Sequence, residues 1–159
     1  MKIVIFDLDD TLFDTSGQLD ETYSGLNEIK LFPETLSVLK TLKAKGIILF
    51  LVSIGSEKIQ TEKIKILKIN DYFEEIFICS TGEEKYKIFE KIINDYIEIE
   101  TKEILVAGDR IDREITYGKQ LGCFTVRINR GKWKDLQPAN KLQVPDYIVN
   151  DLTEILEII

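Results

Sequence analysis

The chain contains no histidine. That excludes a Ser-His-Asp triad, a Cys-His pair, an imidazole general base and a histidine-bound zinc. Any chemistry must come from carboxylates, lysine, hydroxyls, thiols or a hard cation. Cysteine is scarce too: Cys79 and Cys123 are the two present, each inside an apolar run that reads as a strand. Buried thiols fit them better than a disulfide. No apolar run approaches the roughly 18 residues of a spanning helix. The opening KIVIF is too short for a signal-peptide core and runs straight into acids. Positive charge is in deficit, with 21 Lys and Arg against 28 Asp and Glu and a formal charge of −7. Nucleic acid and anionic membranes both reward a basic face, so neither is expected as the main partner. These absences together predict a cytosolic protein.

What remains is enough for one domain over residues 1–159. The 44% apolar content supports a buried core, and no repeat, linker or Pro/Gly-rich spacer interrupts the chain. Lys and Glu supply most of the charge and isoleucine is abundant, a composition common in thermophilic proteins. Short β-branched runs recur at KIVIF (2–6), IILFLV (47–52), EIFIC (75–79), EILVA (103–107) and CFTVRI (123–128). Their apolarity is continuous, as in parallel strands covered on both faces. Between them lie helical patterns. One runs from Pro33 to Lys45, with Leu36, Leu39 and Leu42 on one stripe and Gly46 past its end. A second starts at Ser56 and runs to about Leu67, with Ile59, Lys63, Ile66 and Leu67 near one face. Others span about Glu84 to Asp95 and Asp112 to Leu121, the latter weakened by Gly118, and a last one is capped by Asp151. The alternation predicts an α/β doubly wound, mostly parallel, Rossmann-like sheet with helices on both faces.

In such sheets ligands bind beyond the carboxyl ends of the strands. The first strand is followed by Asp7, Asp9, Asp10 and Thr11, the second by Ser53, the third by Lys85 and Lys87, and the fourth by Asp109, Asp112 and Glu114 in GDRIDRE. Crowded carboxylates repel one another, and a hard cation shared by Asp7 and Asp109 would offset that repulsion. A lysine, a serine hydroxyl and backbone N–H groups nearby can hold phosphate oxygens. The combination is a site for a phosphoryl group, with a carboxylate free to attack it.

DLDDTL resembles the DxDx[TV] signature of the haloacid dehalogenase superfamily, Ser53 its second-motif hydroxyl, Lys85 or Lys87 its lysine, and GDRIDRE its acidic fourth motif. The motifs occur in order from Asp7 to about Glu114, and the tail VRINRGKW…VPDYIVNDLTEIL is similar to the end of such a domain. The resemblance implies a phosphoric-monoester hydrolase working through an aspartyl phosphate. Asp7 is then the nucleophile and Asp9 the proton shuttle. Mg2+ is held by Asp7, the Asp9 carbonyl and Asp109, with Asp112 or Glu114 ordering its waters. Thr11, Ser53, Gly55 and the lysine, Lys85 in preference to Lys87, bind phosphoryl oxygens. The presence of Asp9 favours a phosphatase over a haloalkanoate dehalogenase, which needs no second acid there.

Asp10 is expected to be a local capping partner, and the basic run Arg127, Arg130, Lys132, Lys134 a solvated loop with Trp133 packed beside it. Residues 13–32 have room for a small loop or helical flap but not for a folded cap, which predicts an open site. The substrate is a small phosphorylated metabolite or a phosphorylated macromolecule, and a homo-oligomer is compatible with an open site. The alternative is a non-catalytic module that keeps the metal site and binds a phosphoryl ligand or partner. A receiver domain is disfavoured, because Ser80 stands where it needs an aspartate.

Overall fold

The computed structural model describes all of residues 1–159. Six strands form one sheet: β1 (Ile3–Phe6), β2 (Ile48–Ile54), β3 (Glu75–Cys79), β4 (Ile104–Gly108), β5 (Phe124–Ile128) and β6 (Tyr147–Val149). Every pairing is parallel and the spatial order is β3-β2-β1-β4-β5-β6. The chain thus winds one way from β1 through β3 and the other way from β4 through β6. The reversal falls between β1 and β4, where an open α/β sheet leaves its crevice. The first five strands lie within a residue or two of the runs read from the sequence. β6 was not anticipated.

Six α-helical segments flank the sheet: α1 (Thr15–Gln18), α2 (Thr35–Ala44), α3 (Glu57–Leu67), α4 (Gly82–Asp95), α5 (Thr116–Gln120) and α6 (Ile155–Ile158). Alternation along the strands separates two apolar layers. Val4, Phe6, Leu49, Leu51, Leu105 and Ala107 face α2, α3 and α6. Ile3, Ile5, Phe50, Val52, Ile104 and Val106 face α4, through Phe89 and Ile92. Cys79 and Cys123 are free and buried, and burial pushes their thiols up to about 11 and about 12. No helix is long and apolar enough to cross a membrane.

Local sequence explains the helix ends. Thr81 caps α4 by accepting from the Glu84 N–H, one turn earlier than the sequence reading began that helix. Asp151 and Glu154 form a reciprocal capping box at the start of the last helical segment. The helix expected from Asp112 instead begins as a wide π turn over Ile111–Ile115 before α5. On α3 the buried positions are Gln60, Lys63, Ile64 and Leu67, so the inward face is rotated from the Ile59, Lys63, Ile66, Leu67 set.

Gly118 is where α5 touches the sheet most closely. A Cβ there would stand 2.7 Å from the Thr125 methyl and 3.2 Å from Val106 Cβ. Its absence lets helix and strands approach, which outweighs the poor helix propensity of glycine. Gly118→Ala is therefore expected to lower stability by about 1–3 kcal/mol through overpacking, although alanine is the better helix former. Urea unfolding reads the sign, and a stabilised Gly118→Ala protein would contradict this packing.

Candidate active site

β1 and β4 are neighbours in register, with Phe6 beside Ala107, so the residues that follow them emerge side by side. Asp7 still donates its N–H to the Ala107 carbonyl at 3.0 Å, which fixes the first carboxylate at the last rung of the sheet. The chain then folds into a tight turn, with the Thr11 and Leu12 N–H groups both donating to the Leu8 carbonyl. Asp10 adopts a left-handed conformation (φ 55°) within it. Asp7, Asp9, Asp10, Lys85, Asp109 and Glu114 all line one cavity of about 540 Å³.

Lys85 joins three elements. Its ammonium donates to Asp7 Oδ1 at 2.6 Å and to Glu114 Oε1 at 2.5 Å, and the side chain is 1% exposed. Burial alone favours the neutral amine, but Asp7 and Glu114 together outweigh it and raise the lysine pKa. Lys87, two positions on and so on the opposite side of the helix, lies in solvent against Glu83. Of the two lysines, Lys85 lies within the acid cluster and Lys87 outside it.

Asp109 is 4% exposed and receives no hydrogen bond from the protein. Burial, then the charges of Asp7, Glu114 and Asp10, push it up to about 9. Burial likewise pushes Asp7 up to about 7, with Lys85 opposing and Glu114 and Asp9 assisting. Glu114 keeps Oε2 buried with no partner. Lys85 pairs with Asp7 and Glu114 only, and with all three carboxylates ionised the cluster would carry two uncompensated negative charges, the charge of one divalent cation. The donors are all oxygen, which suits a hard ion such as Mg2+. No three acidic side chains close on one point by themselves. A cation here would draw on the Asp7 and Asp109 side chains and complete its shell with solvent.

The Asp9 side chain is turned elsewhere. It accepts from Lys63 Nζ at 2.6 Å and Thr15 Oγ1 at 2.6 Å on one oxygen, and from Gln60 Nε2 at 2.7 Å on the other. Lys63 is 3% exposed and also lies over the Phe13 and Tyr23 rings. Gln60 and Lys63 were not singled out from the sequence as site residues. Their one available signal was a Gln and a Lys on the inward stripe of α3.

Several expected contacts are arranged differently. Ser53 follows Leu49 and Leu51 onto the α3 face of the sheet, is fully buried, and accepts from Gln60 Nε2 at 2.6 Å. Ile54, pointing the other way, lines the cavity in its place. The Gly55 N–H is consumed by the Cys79 carbonyl at 2.9 Å, because the parallel ladder runs one step past β2. Thr11 is fully buried, its hydroxyl 3.4 Å from Asp7 Oδ2. Asp112 does not reach Asp109. Arg110, two residues earlier, holds it by two hydrogen bonds of 3.0 and 2.6 Å. Asp10 takes the Ser16 N–H at 2.8 Å and the Ser16 hydroxyl, and so ties α1 to the turn. Lys132 and Trp133 join the cavity lining rather than open solvent.

The fold brings this acid-lysine cluster to the switch point of an open α/β sheet, where proteins of that architecture bind their ligands. The chain belongs to the haloacid dehalogenase-like hydrolase family, whose profile matches residues 17–128. The DLDDTL turn lies just ahead of that match. The chain is 33% identical over 134 residues to a glyceraldehyde 3-phosphate phosphatase of Methanopyrus kandleri, which covers 82% of this chain and 57% of that protein. A protein of the same name from Methanocaldococcus jannaschii is 32% identical over the same shares. The chain thus spans little more than half the length of these curated relatives. Among solved structures, a predicted phosphoglycolate phosphatase from Haemophilus somnus superposes with TM-score 0.80 at 20% identity, covering 99% of this chain and 97% of that one. The magnesium-bound HAD-hydrolase YfnB of Bacillus subtilis gives 0.76 at 15% identity, with 99% and 97% covered. At these identities the superpositions establish the fold.

Two measurements check the electrostatics. Lys85→Met strands Asp7 and Glu114 without their cation and is expected to cost about 3 kcal/mol or more in urea unfolding at neutral pH. Lys87→Met is expected to change stability by less than about 0.5 kcal/mol. Equal effects would contradict the assignment. Asp7 and Asp109 hold protons in the folded state that the unfolded chain has already released. Their contribution to metal-free stability is therefore fully present below about pH 4 and is lost progressively as pH rises from there through about 7 for Asp7 and about 9 for Asp109. In chelator the melting temperature is expected to fall across that interval, and the gain on adding Mg2+ to grow across it. A melting temperature that is flat with pH and indifferent to Mg2+ would contradict this.

Proposed function

We propose that this chain is a Mg2+-dependent phosphoric-monoester phosphatase that forms an aspartyl phosphate on Asp7. One observation carries the proposal: Asp7 has one oxygen fixed by Lys85 and the other held only by a long contact to Thr11. A carboxylate gripped at one oxygen and open at the other is arranged for in-line attack. The relatives' name, glyceraldehyde 3-phosphate phosphatase, supports a small phosphorylated metabolite as the substrate class.

In the first step Asp7 Oδ2 bonds to phosphorus while the ester oxygen leaves, taking a proton from Asp9. In the second, Asp9 accepts a proton from water, whose oxygen displaces Asp7 from phosphorus and releases phosphate. Asp9 must exchange at least one of its three resting hydrogen bonds for the substrate oxygen, and the donors without charge are the Thr15 hydroxyl and the Gln60 amide. Lys85 opposes the protonation of Asp7 that burial favours, and shields the incoming phosphoryl charge. A divalent cation held by the Asp7 and Asp109 carboxylates would supply the remaining positive charge at the site. Glu114 orients Lys85. Ser53 acts through Gln60, which bridges it to Asp9. Residues 13–32, with α1, a single turn at Leu26–Glu28 and the Phe13–Leu31 bridge, serve as a small flap rather than a folded cap.

Phosphate release from an aryl phosphate should require Mg2+, stop with chelator, and fall by roughly 10³-fold or more in Asp7→Asn, which removes the nucleophile. Full activity in Asp7→Asn would overturn the mechanism. Absence of turnover with any ester would favour a phosphoryl-binding module instead.

A further inference from the structure

The rim of the cavity carries positive charge that the mechanism does not use. Arg110 and Arg113 come from the chain following β4, and Lys132 from the loop after β5, and all three line the cavity with Trp133. Arg110 is matched by its two bonds to Asp112. Arg113 and Lys132 have no carboxylate within ion-pair distance. In a chain with seven more acids than bases, two unmatched cations at the mouth of an acid-floored cavity call for an explanation.

The loop that carries Lys132 is held in place. Arg127, buried to 5% exposure at the end of β5, donates to the Trp133 and Lys134 carbonyls at 2.8 and 3.0 Å, and its Nε is buried without a partner. Burying a guanidinium to hold two loop carbonyls is costly unless the loop's position matters. Gly131 has φ +66°, and a Cβ on it would stand 2.3 Å from the Asp10 carboxyl carbon, so the loop is seated directly on the motif turn. Trp133 then collects the cations. The Arg110 guanidinium lies 4.0 Å from its ring centroid and Lys132 Nζ lies 5.0 Å from it.

Resting on the phosphatase reading above, we propose that Arg113 and Lys132 form a subsite for a second anionic group of the substrate. Preferred substrates are then short phosphate esters bearing a carboxylate or a second phosphate at the far end. The floor of the cavity, with Asp7, Asp9, Asp109 and Glu114, repels such a group unless a cation covers it. The rim attracts it, so the molecule enters with the scissile phosphate toward Asp7. The triose phosphate in the relatives' name ends in an uncharged aldehyde, so the proposal separates this chain's preference from theirs.

Four two-carbon esters test it: phosphoglycolate, ethane-1,2-diyl bisphosphate, ethyl phosphate and phosphoethanolamine. Their kcat/KM values with Mg2+ are compared in the wild type and in Arg113→Met/Lys132→Met. Their binding to Asp7→Asn with Mg2+ is measured by calorimetry. The wild type is expected to prefer phosphoglycolate or the bisphosphate over ethyl phosphate by about tenfold or more, chiefly in KM, with phosphoethanolamine poorest. The first two compounds decide between carboxylate and phosphate. The double variant should lose that preference. Equal values across the series, or a preference that survives the double substitution, would overturn the subsite. Hydrolysis without preference leaves the phosphatase reading standing while the subsite fails. Preferential binding of the anionic esters without any hydrolysis does the reverse.

Discussion

The Lys85 ammonium is held between Asp7 and Glu114, and the arrangement of the whole sheet edge follows from what that pair of contacts requires. The lysine comes from the first turn of α4, Asp7 from the end of β1 and Glu114 from the turn after β4. None of these groups tolerates burial alone. Removing a carboxylate or an ammonium from water costs several kcal/mol, recovered only with close partners. The three elements must therefore meet at one point, next to the reversal of strand order between β1 and β4. Asp109 arrives at the same place without a partner, and burial with the neighbouring acids pushes its carboxyl up to about 9.

Around that floor the chain builds two supports of different character. Asp9 is steadied from α3 and the segment after β1, through Lys63, Gln60 and Thr15. Asp10 ties Ser16 to the motif turn and lies against Gly131 of the loop after β5. The two adjacent aspartates are thus held by different elements, Asp9 by α3 and Thr15, Asp10 by Ser16 at the start of α1.

The sequence made some of this legible and hid the rest for identifiable reasons. Strands β1 to β5 show as continuous apolar runs because both faces of a parallel sheet are covered. β6 does not, being three residues on the sheet edge with Tyr147 and Ile148 about half exposed. Asp7, Asp109 and Lys85 are readable because they sit at element ends, where topology alone sets position. For Ser53, Gly55 and Asp112 motif position alone does not give the contacts their groups make. Ser53 turns with the alternation of its strand, Gly55 is taken by an extra rung of the ladder, and Asp112 is captured by Arg110. Gln60 and Lys63 reach Asp9 across more than fifty positions of sequence, and on α3 they look like polar interruptions of an apolar stripe.

The account stands most directly on covalent chemistry at Asp7. Acid quenching of the protein during turnover of a phosphate ester, followed by peptide mass mapping, shows where any phosphoryl group resides. The account predicts one phosphoryl group on the peptide containing Asp7, present with Mg2+ and absent from Asp7→Asn. Steady phosphate release with no labelled peptide, or with the label on another residue, would contradict it.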